Sequence, residues 1–358
     1  MKHALLPIAL ASALAGPAWS QSSTVTLFGV MDAAARSVSN EGRGAIQSLA
    51  SGSNATSRFG VRGSEDLGAG LSASFHLEHG IAIDTGNPAS ATQFWDRRAT
   101  VSLASASLGE LRAGRDFVPT YVNWSRYDPF SYVGVAGSNN LVSATPVGPI
   151  RAAFGTNPNT TVRANNAGQL LLPAGLGGLE GGLMLAAGEG GTVANGFTKV
   201  VALRLGWAAG PFGVSVATGT SENNLTSTGK FKDHALAGSY NAGVVKVSAA
   251  LRRFQYASAK QTNTLLGVSV PVGSGEIKAS WNRADLAGTV GAANLDANDA
   301  SQIGLGYVHS LSKRTALYGA LARISNQGAA AFVVPGGPAG LAGGGKSTGW
   351  EAGLRHNF

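Results

Sequence analysis

The chain has 358 residues, no cysteine and a formal net charge of +8, with 44% hydrophobic residues but only 13% charged ones. A soluble domain carries about a quarter charged residues, so the composition argues against an ordinary water-facing surface, and the lack of cysteine excludes a disulfide scaffold. Glycine, at 51 residues, is roughly twice as common as usual, yet 13 prolines are too few for a disordered proline-glycine linker.

The chain opens on Met1-Lys2-His3 followed by the apolar run Ala4 to Ala15. A basic start and a short apolar stretch have the form of a secretory signal peptide. The run is too short to span a membrane as a helix, which takes roughly 20 apolar residues. Ala18-Trp19-Ser20 fits a small-x-small cleavage site, so residues 1–20 are expected to be a signal peptide and Gln21 the mature start. No later segment is long and apolar enough for a transmembrane helix.

From there the period is two, the strand signal. Val25, Leu27, Gly29, Met31, Ala33 and Ala35 share one face, with Thr26, Asp32 and Arg36 on the other. Arg58, Gly60, Arg62 and Ser64 alternate with Phe59, Val61 and Gly63. Ala99, Val101 and Leu103 alternate with Arg98, Thr100 and Ser102. Val201, Leu203 and Leu205 alternate with Ala202, Arg204 and Gly206, and Ile303, Leu305 and Tyr307 with Gly304, Gly306 and Val308. At the end, Trp350, Ala352, Leu354, His356 and Phe358 share a face. The second face carries Gly, Ser, Thr, Asn and isolated Arg rather than a crowd of Lys and Glu, which suits a wet lumen more than the outside of a soluble sandwich. Short turns, such as 67–70, 175–178, 209–211, 241–243 and 311–313, alternate with longer polar stretches at 37–56, 84–94, 118–158, 190–197, 221–229, 287–299 and 326–346. Short turns at one end and long loops at the other mark an outer-membrane barrel. In lipid a closed barrel also pairs every backbone group without helices. The expectation is an all-β transmembrane antiparallel β-barrel of about 16 strands, formed by residues 21–358 as a single domain.

Several segments in order resemble the Gram-negative general porins, especially their beta-proteobacterial branch. Ser23 to Ala33 is similar to the family's first strand, and Ser57-Arg58-Phe59-Gly60-Val61-Arg62-Gly63-Ser64-Glu65-Asp66-Leu67-Gly68 to its second strand and turn. Arg97 to Leu103 and Leu108 to Arg115 look like strands four and five, and Gly353 to Phe358 like the closing strand with the final Phe that barrel assembly machinery reads. The resemblance covers essentially the whole mature chain. It implies a homotrimer of water-filled channels in the outer membrane of a Gram-negative cell, surrounded by membrane lipid and lipopolysaccharide. Such channels pass small hydrophilic solutes and ions by passive diffusion. It also implies an inward-folded third loop that narrows the pore, here 118–158, with Tyr121, Trp124, Tyr127, Phe130 and Tyr132 inside it. The loop tip, Asp128-Pro129-Phe130-Ser131-Tyr132, has fewer acids than the family's usual Pro-Glu-Phe-Gly-Gly type tip.

A channel needs no nucleophile; it needs a wet lumen and a narrow zone whose charge sorts ions. The resemblance places a basic ladder on the wall, and the matching positions are Arg58, Arg62, Arg98, Arg115 and Arg163. Arg58, Arg62 and Arg98 fall on the polar parity, whereas Arg115 shares parity with Leu111 and Ala113 and needs a bulge to turn inward. Asp128 is the one acid between Val118 and Ile150, and Asp116 sits at the loop's base. Five arginines against one or two loop acids predict an anion-preferring constriction. Asp32, Arg36 and Glu65 are assigned to the lumen. The competing reading is that the arginines merely pair with lumen acids such as Asp32, Glu65 or Glu110. The bland reading of the loop aromatics is that they pack the loop against the wall.

Other signals are discounted. Gly340 to Ser347 matches the phosphate-loop pattern G-x-x-x-x-G-K-S, but Pro335-Gly336-Gly337-Pro338 precedes it where a buried strand is required, and a strand-like tail follows it where a helix is required. His76, His79, His234, His309 and His356 show no metal spacing, so neither a metal nor another cofactor is expected, and an exported chain has no routine nucleic-acid partner. Asn54-Ala55-Thr56 and Asn224-Leu225-Thr226 match a glycosylation pattern with no bearing on a bacterial barrel. The remaining alternatives are a substrate-specific channel for organic acids or sugars, an outer-membrane barrel enzyme, for which no Ser/His or Asp/His pairing stands out, and a structural barrel, for which no plug domain is present. An enzyme is not expected.

Overall fold

The computed structural model describes residues 23–142 and 147–358; the predicted signal peptide 1–20, its cleavage site and Gln21 lie outside them. Sixteen antiparallel strands form the wall. They are β1 (Ser23–Asn40), β2 in two segments (Gly44–Ser51 and Arg58–Gly68), β3 (Leu71–Ala82), β4 (Arg98–Ser105), β5 (Gly109–Phe117), β6 (Arg163–Leu171), β7 (Leu179–Ala186) and β8 (Lys199–Ala209). The second half comprises β9 (Phe212–Glu222), β10 (Phe231–Asn241), β11 (Lys246–Tyr256), β12 (Ala259–Val272), β13 (Gly275–Ala287), β14 (Ala300–Ser310), β15 (Thr315–Asn326) and β16 (Lys346–Asn357). Each strand pairs with its neighbour, and β16 returns to β1 with Val30 opposite Asn357 and Asn40 opposite Ser347. The sheet has no free edge, as spanning a bilayer with strands requires. The terminal residue completes the closure: Gly29 and Phe358 exchange backbone hydrogen bonds of 3.2 and 3.1 Å. A Cβ at Gly29 would run into the Phe358 ring, so the glycine makes room for the seam.

The alternation sorts the two faces. Val25 (70% exposed), Leu27 (63%), Val216 (51%), Leu236 (52%) and Ile303 (64%) point outward, an apolar exterior suited to a membrane. Ala202, Arg204, Asp233, Arg252, Gln261, Asn263 and Gln302 point inward and are buried. Among the described residues no helix is long and apolar enough to cross a membrane.

One end carries short turns and the other longer connections, as the sequence pattern requires, with one exception. Residues 37–51 are expected within a long polar loop; instead β1 and β2 stay paired to the tight turn at 41–43, with Val38 opposite Ile46. The irregularity falls lower, at 52–57, where β2 is interrupted. The buried carboxylate of Asp32 holds that break by accepting from the amides of Ser53 (3.2 Å), Asn54 (3.0 Å) and Ala55 (2.8 Å). Tyr318 Oη donates to the same carboxylate.

The longest connection runs from Val118 to Val162. It contains α1 (Pro119–Ser125) and α2 (Pro149–Phe154), each started by proline, whose fixed φ suits a first helical turn.

Candidate functional site

The long connection enters the barrel and lies on the inner face of β8–β14. Polar side chains of the wall hold its backbone: Gln261 and Asn263 donate to the Leu141 carbonyl at 2.7 and 2.9 Å, and Gln302 to those of Ala136 and Gly137 at 2.9 and 3.2 Å. Ser248 donates to the Tyr127 carbonyl at 2.7 Å and Arg252 to that of Thr161 at 2.7 Å. Arg252, fully buried, also pairs with Asp233 at 2.7 Å, and Thr120 donates to the same Asp233 at 2.6 Å. Trp124, Tyr127, Tyr132, Ile150 and Phe154 pack with Phe231, Phe254 and Leu265 into an apolar cluster. A second cluster joins Val135 and Leu141 to Phe332 and Val334 of the 327–345 connection and to Leu286 and Ile324 of the wall. Trp124, Tyr127 and Tyr132 therefore serve as packing.

The charged wall lies opposite, on β1–β6 and β16. In its upper layer Arg58 Nε stands 3.6 Å from Glu78, and Arg97 Nε donates to the other Glu78 oxygen at 2.5 Å. Arg115 donates to the Asp96 carbonyl (2.6 Å) and the Asn165 side chain (2.5 Å). Arg163, the first residue of β6, donates to the Arg97 carbonyl at 2.8 Å and lies 4.4 Å over the Phe117 ring, which stacks on Tyr121. In the lower layer Asp116 accepts from Arg98 (2.7 Å), Arg112 (2.8 Å) and Gln169 (3.0 Å), and Arg112 also holds Glu110 at 2.7 Å. Arg62 sits 5.2 Å over Phe28. Arg62, Arg98 and Arg112 line a concavity of about 350 Å³ together with Thr26, His76, Thr100 and Ser102.

The bulge required for Arg115 is present: the β5–β6 register shifts between Gly114 and Asp116. Gly114 takes φ +127° there, and a Cβ on it would strike the Ala99 carbonyl. The extra residue lets Arg115 and Asp116 both reach polar partners, which strict alternation forbids.

Three expected positions differ. Asp128 does not face the arginines. It is buried and accepts from the amides of Phe130 (2.9 Å), Tyr132 (3.0 Å) and Ser138 (2.9 Å) and from the Ser138 hydroxyl (2.6 Å), because a carboxylate in a tight polar loop satisfies nearby amides first. Glu65 shares the outward parity of Val25 and Gly63 and lines a shallow outer groove with Phe75 and Val101. Asp32 is inward but sequestered under the β2 break. Arg36 is on the inner face, tied to Glu351 at 2.8 Å, to Ser53 at 2.8 Å and to the Pro335 carbonyl at 3.4 Å.

Sequence reasoning missed Arg97, Arg112 and Glu78. Arg112 was recoverable: it sits on the parity opposite to Leu111 and Ala113, and it pairs across from Ser102. Arg97 precedes β4, where alternation carries no information.

A closed barrel, apolar outside and lined inside by charged and hydroxyl side chains, is a diffusion channel of outer-membrane type. The chain belongs to the Gram-negative porin family, whose model matches residues 7–329. It is 36% identical over the full length of both chains to outer membrane porin protein 32 of Delftia acidovorans. It is also 26% identical to an outer membrane porin protein of Bordetella pertussis, over 89% of this chain and 93% of that one. Among solved structures, an anion-selective porin from Comamonas acidovorans superposes with a TM-score of 0.78 at 34% identity, covering 94% of this chain and all of that one. OmpT of Vibrio cholerae, in its trimer form, shares the fold at a TM-score of 0.63 and 13% identity, over 94% of this chain and all of that one. The family fixes the location as the outer membrane and the activity as passive diffusion of small hydrophilic solutes; its members are channels rather than catalysts.

Proposed function

We propose that this channel prefers anions, that the 118–162 connection narrows it, and that the route for ions runs between that connection and the β1–β6 wall. One observation carries the preference. In the upper layer Arg58, Arg97, Arg115 and Arg163 stand against only Glu78 and Asp96, and Arg115 and Arg163 rest on carbonyl or amide oxygens instead of carboxylates. Carbonyl partners satisfy the guanidinium geometry and leave its charge uncancelled, so the zone stays positive. Arg58 and Arg98 contribute less, because Glu78 and Asp116 pair with them. The loop supplies no opposing acid, since Asp128 is folded into its own backbone. The anion-selective porin at 34% identity supports the reading. Burial of Trp124 and Tyr127 counts against an aromatic track for sugars.

The test is the reversal potential of the purified channel in a planar bilayer under a KCl gradient. A potential of the sign set by chloride is expected; one set by potassium overturns the reading. We further propose assembly as a homotrimer, to be checked by chemical cross-linking in native membranes, and recognition of Phe358 by the barrel assembly machinery, to be checked by surface yield after F358A.

A further inference from the structure

The charged wall of β1–β6 also carries an imidazole. His76, on β3, shares the inward parity of Ser74 and Glu78 and stands in one row with Arg62 of β2 and Thr100 of β4. Among the described residues the other histidines lie on the opposite face of their strands. His79 has the outward parity and packs against Phe94 and Trp95. His234, His309 and His356 share the faces of the outward residues Leu236, Tyr307 and Leu354. His76 is thus the histidine that the wall turns toward the lumen.

Its ring is held in one orientation. Gly60 of β2 has no side chain, and a Cβ there would strike the Phe28 ring, which fills the space. His76 meets Phe28 edge-on, with ring centroids 5.1 Å apart. So placed, His76 directs Nε2 at Glu78, 3.5 Å from one carboxylate oxygen. That nitrogen is buried and makes no hydrogen bond among the described residues. The oxygen it faces is also only loosely engaged. Arg58 stands 3.6 Å from it, whereas Arg97 takes the other Glu78 oxygen at 2.5 Å. The charged groups around the imidazole are Arg58 and Arg62 on β2, Glu78 on β3, Arg98 on β4, Glu110 and Arg112 on β5, and Arg97 just before β4. From β1 it meets only the uncharged Thr26 and Phe28. Between pH 5 and pH 8 guanidinium and carboxylate groups ordinarily keep their charge, and imidazole is the side chain that changes it.

We propose that His76 is a specificity-determining residue of this channel: its protonation places a further positive charge beside Glu78 and raises the anion-to-cation permeability ratio as the pH falls. The inference rests on the reading of β1–β6 as the side of the ion route. A proton on Nε2 turns the 3.5 Å approach into an ion pair and engages the loosely held Glu78 oxygen. One carboxylate then serves three cations, His76, Arg58 and Arg97, and the upper layer gains one unit of positive charge. The effect on passing ions has the sign and rough size of removing the Glu78 charge itself. A packing role for His76 against Phe28 is served by either protonation state, and it predicts no dependence of selectivity on pH.

The experiment measures the reversal potential of the purified full-length channel under a KCl gradient, in a planar bilayer of neutral lipid, stepwise from pH 8 to pH 5. The parent is compared with H76Q, H76K and H79Q, each first shown to be folded by its heat-modifiable migration. The parent's anion-to-cation ratio is expected to rise about two- to fivefold over this range, with the larger rise at low salt. H76Q stays at the parent's pH 8 value throughout, H76K stays near its pH 5 value, and H79Q follows the parent. Should H76Q not fold, H76K still decides, because a fixed charge must flatten the profile. A parent ratio that does not move with pH overturns the proposal. So does a profile in H76Q or H76K as steep as the parent's, which places the titrating group elsewhere. A potential set by potassium at every pH, with a slope that H76Q abolishes, overturns the anion reading and upholds the role of His76.

Discussion

The two halves of the lumen solve opposite problems with the same alternating strands. On β8–β14 the inward residues include Ala, Ser, Asn and Gln, with Arg252 paired to Asp233 and Arg204 to Glu180, and the 118–162 connection packs against them. On β1–β6 the inward face gathers Arg58, Arg62, Arg98, Arg112 and Arg115 with the carboxylates of Glu78, Glu110 and Asp116. The first half is a protein core, where each polar group must be satisfied internally. The second is a wet surface, where water and passing ions complete the solvation. The long connection is held mainly by the first wall and touches the second where Glu351 accepts from the Val135 amide at 3.1 Å and Tyr121 stacks on Phe117.

The largest expected effect comes from breaking the covered half. Asp233→Ala leaves Arg252 fully buried without its carboxylate, and removal of one partner of a buried pair costs about 3–5 kcal/mol. Thr120 loses its acceptor as well. The loop is expected to detach: the heat-modification temperature falls, and single-channel records become noisy with larger openings. Unchanged, quiet conductance would mean that the loop is held without this pair.

The next effect sharpens the exposed half. Arg115→Glu with Arg163→Glu replaces two upper-layer cations whose partners are carbonyl and amide oxygens rather than carboxylates. At about 1 kcal/mol for each site facing a partly water-filled gap, the anion-to-cation permeability ratio is expected to fall by more than tenfold, reversing the sign of the reversal potential. Arg98→Gln, beside Asp116, is expected to change the ratio far less.

Asp128→Asn separates the two halves. Four donors converge on that carboxylate, so the loop tip loses about 1–3 kcal/mol, visible as faster proteolysis after Arg126. The reversal potential stays where it was, because the charge lies within the loop and not along the ion route. A shift toward stronger anion preference would return Asp128 to the constriction.

How much of this was legible in the sequence follows from what period two encodes. It places Arg58, Arg62 and Arg98 inward and Leu27, Val201 and Ile303 outward, because a regular strand leaves no choice. It also supplies the turn pattern and hence the approximate strand number. It fails wherever the strand is irregular. Asp32 reads as a lumen acid until the break at 52–57 brings three amides onto it, and Asp128 reads as a facing acid until the loop turns it inward. Glu65 differs again: its parity, shared with Val61 and Gly63, is outward, and only its residue type suggests the lumen. Arg115 shows the converse, since the need for a bulge is legible and Gly114 marks where it lies.

The smallest effect tests whether that parity argument holds for acids as well as for bases. Glu78 and Glu65 both belong to the early strands, but Glu78 lies between Arg58 and Arg97 whereas Glu65 is on the outer face. Glu78→Gln removes one of two upper-layer acids and is expected to raise the anion-to-cation ratio by a factor of about 2–5, on the order of 0.5–1 kcal/mol, with the larger change at low salt, where screening is weakest. Glu65→Gln should leave the ratio unaltered at every ionic strength, because its carboxylate is separated from the ions by the wall itself. If the two variants shift the reversal potential equally, the potential is set by the charge of the whole barrel and not by the arginine layer of β1–β6, and the contrast between the two halves loses its functional meaning.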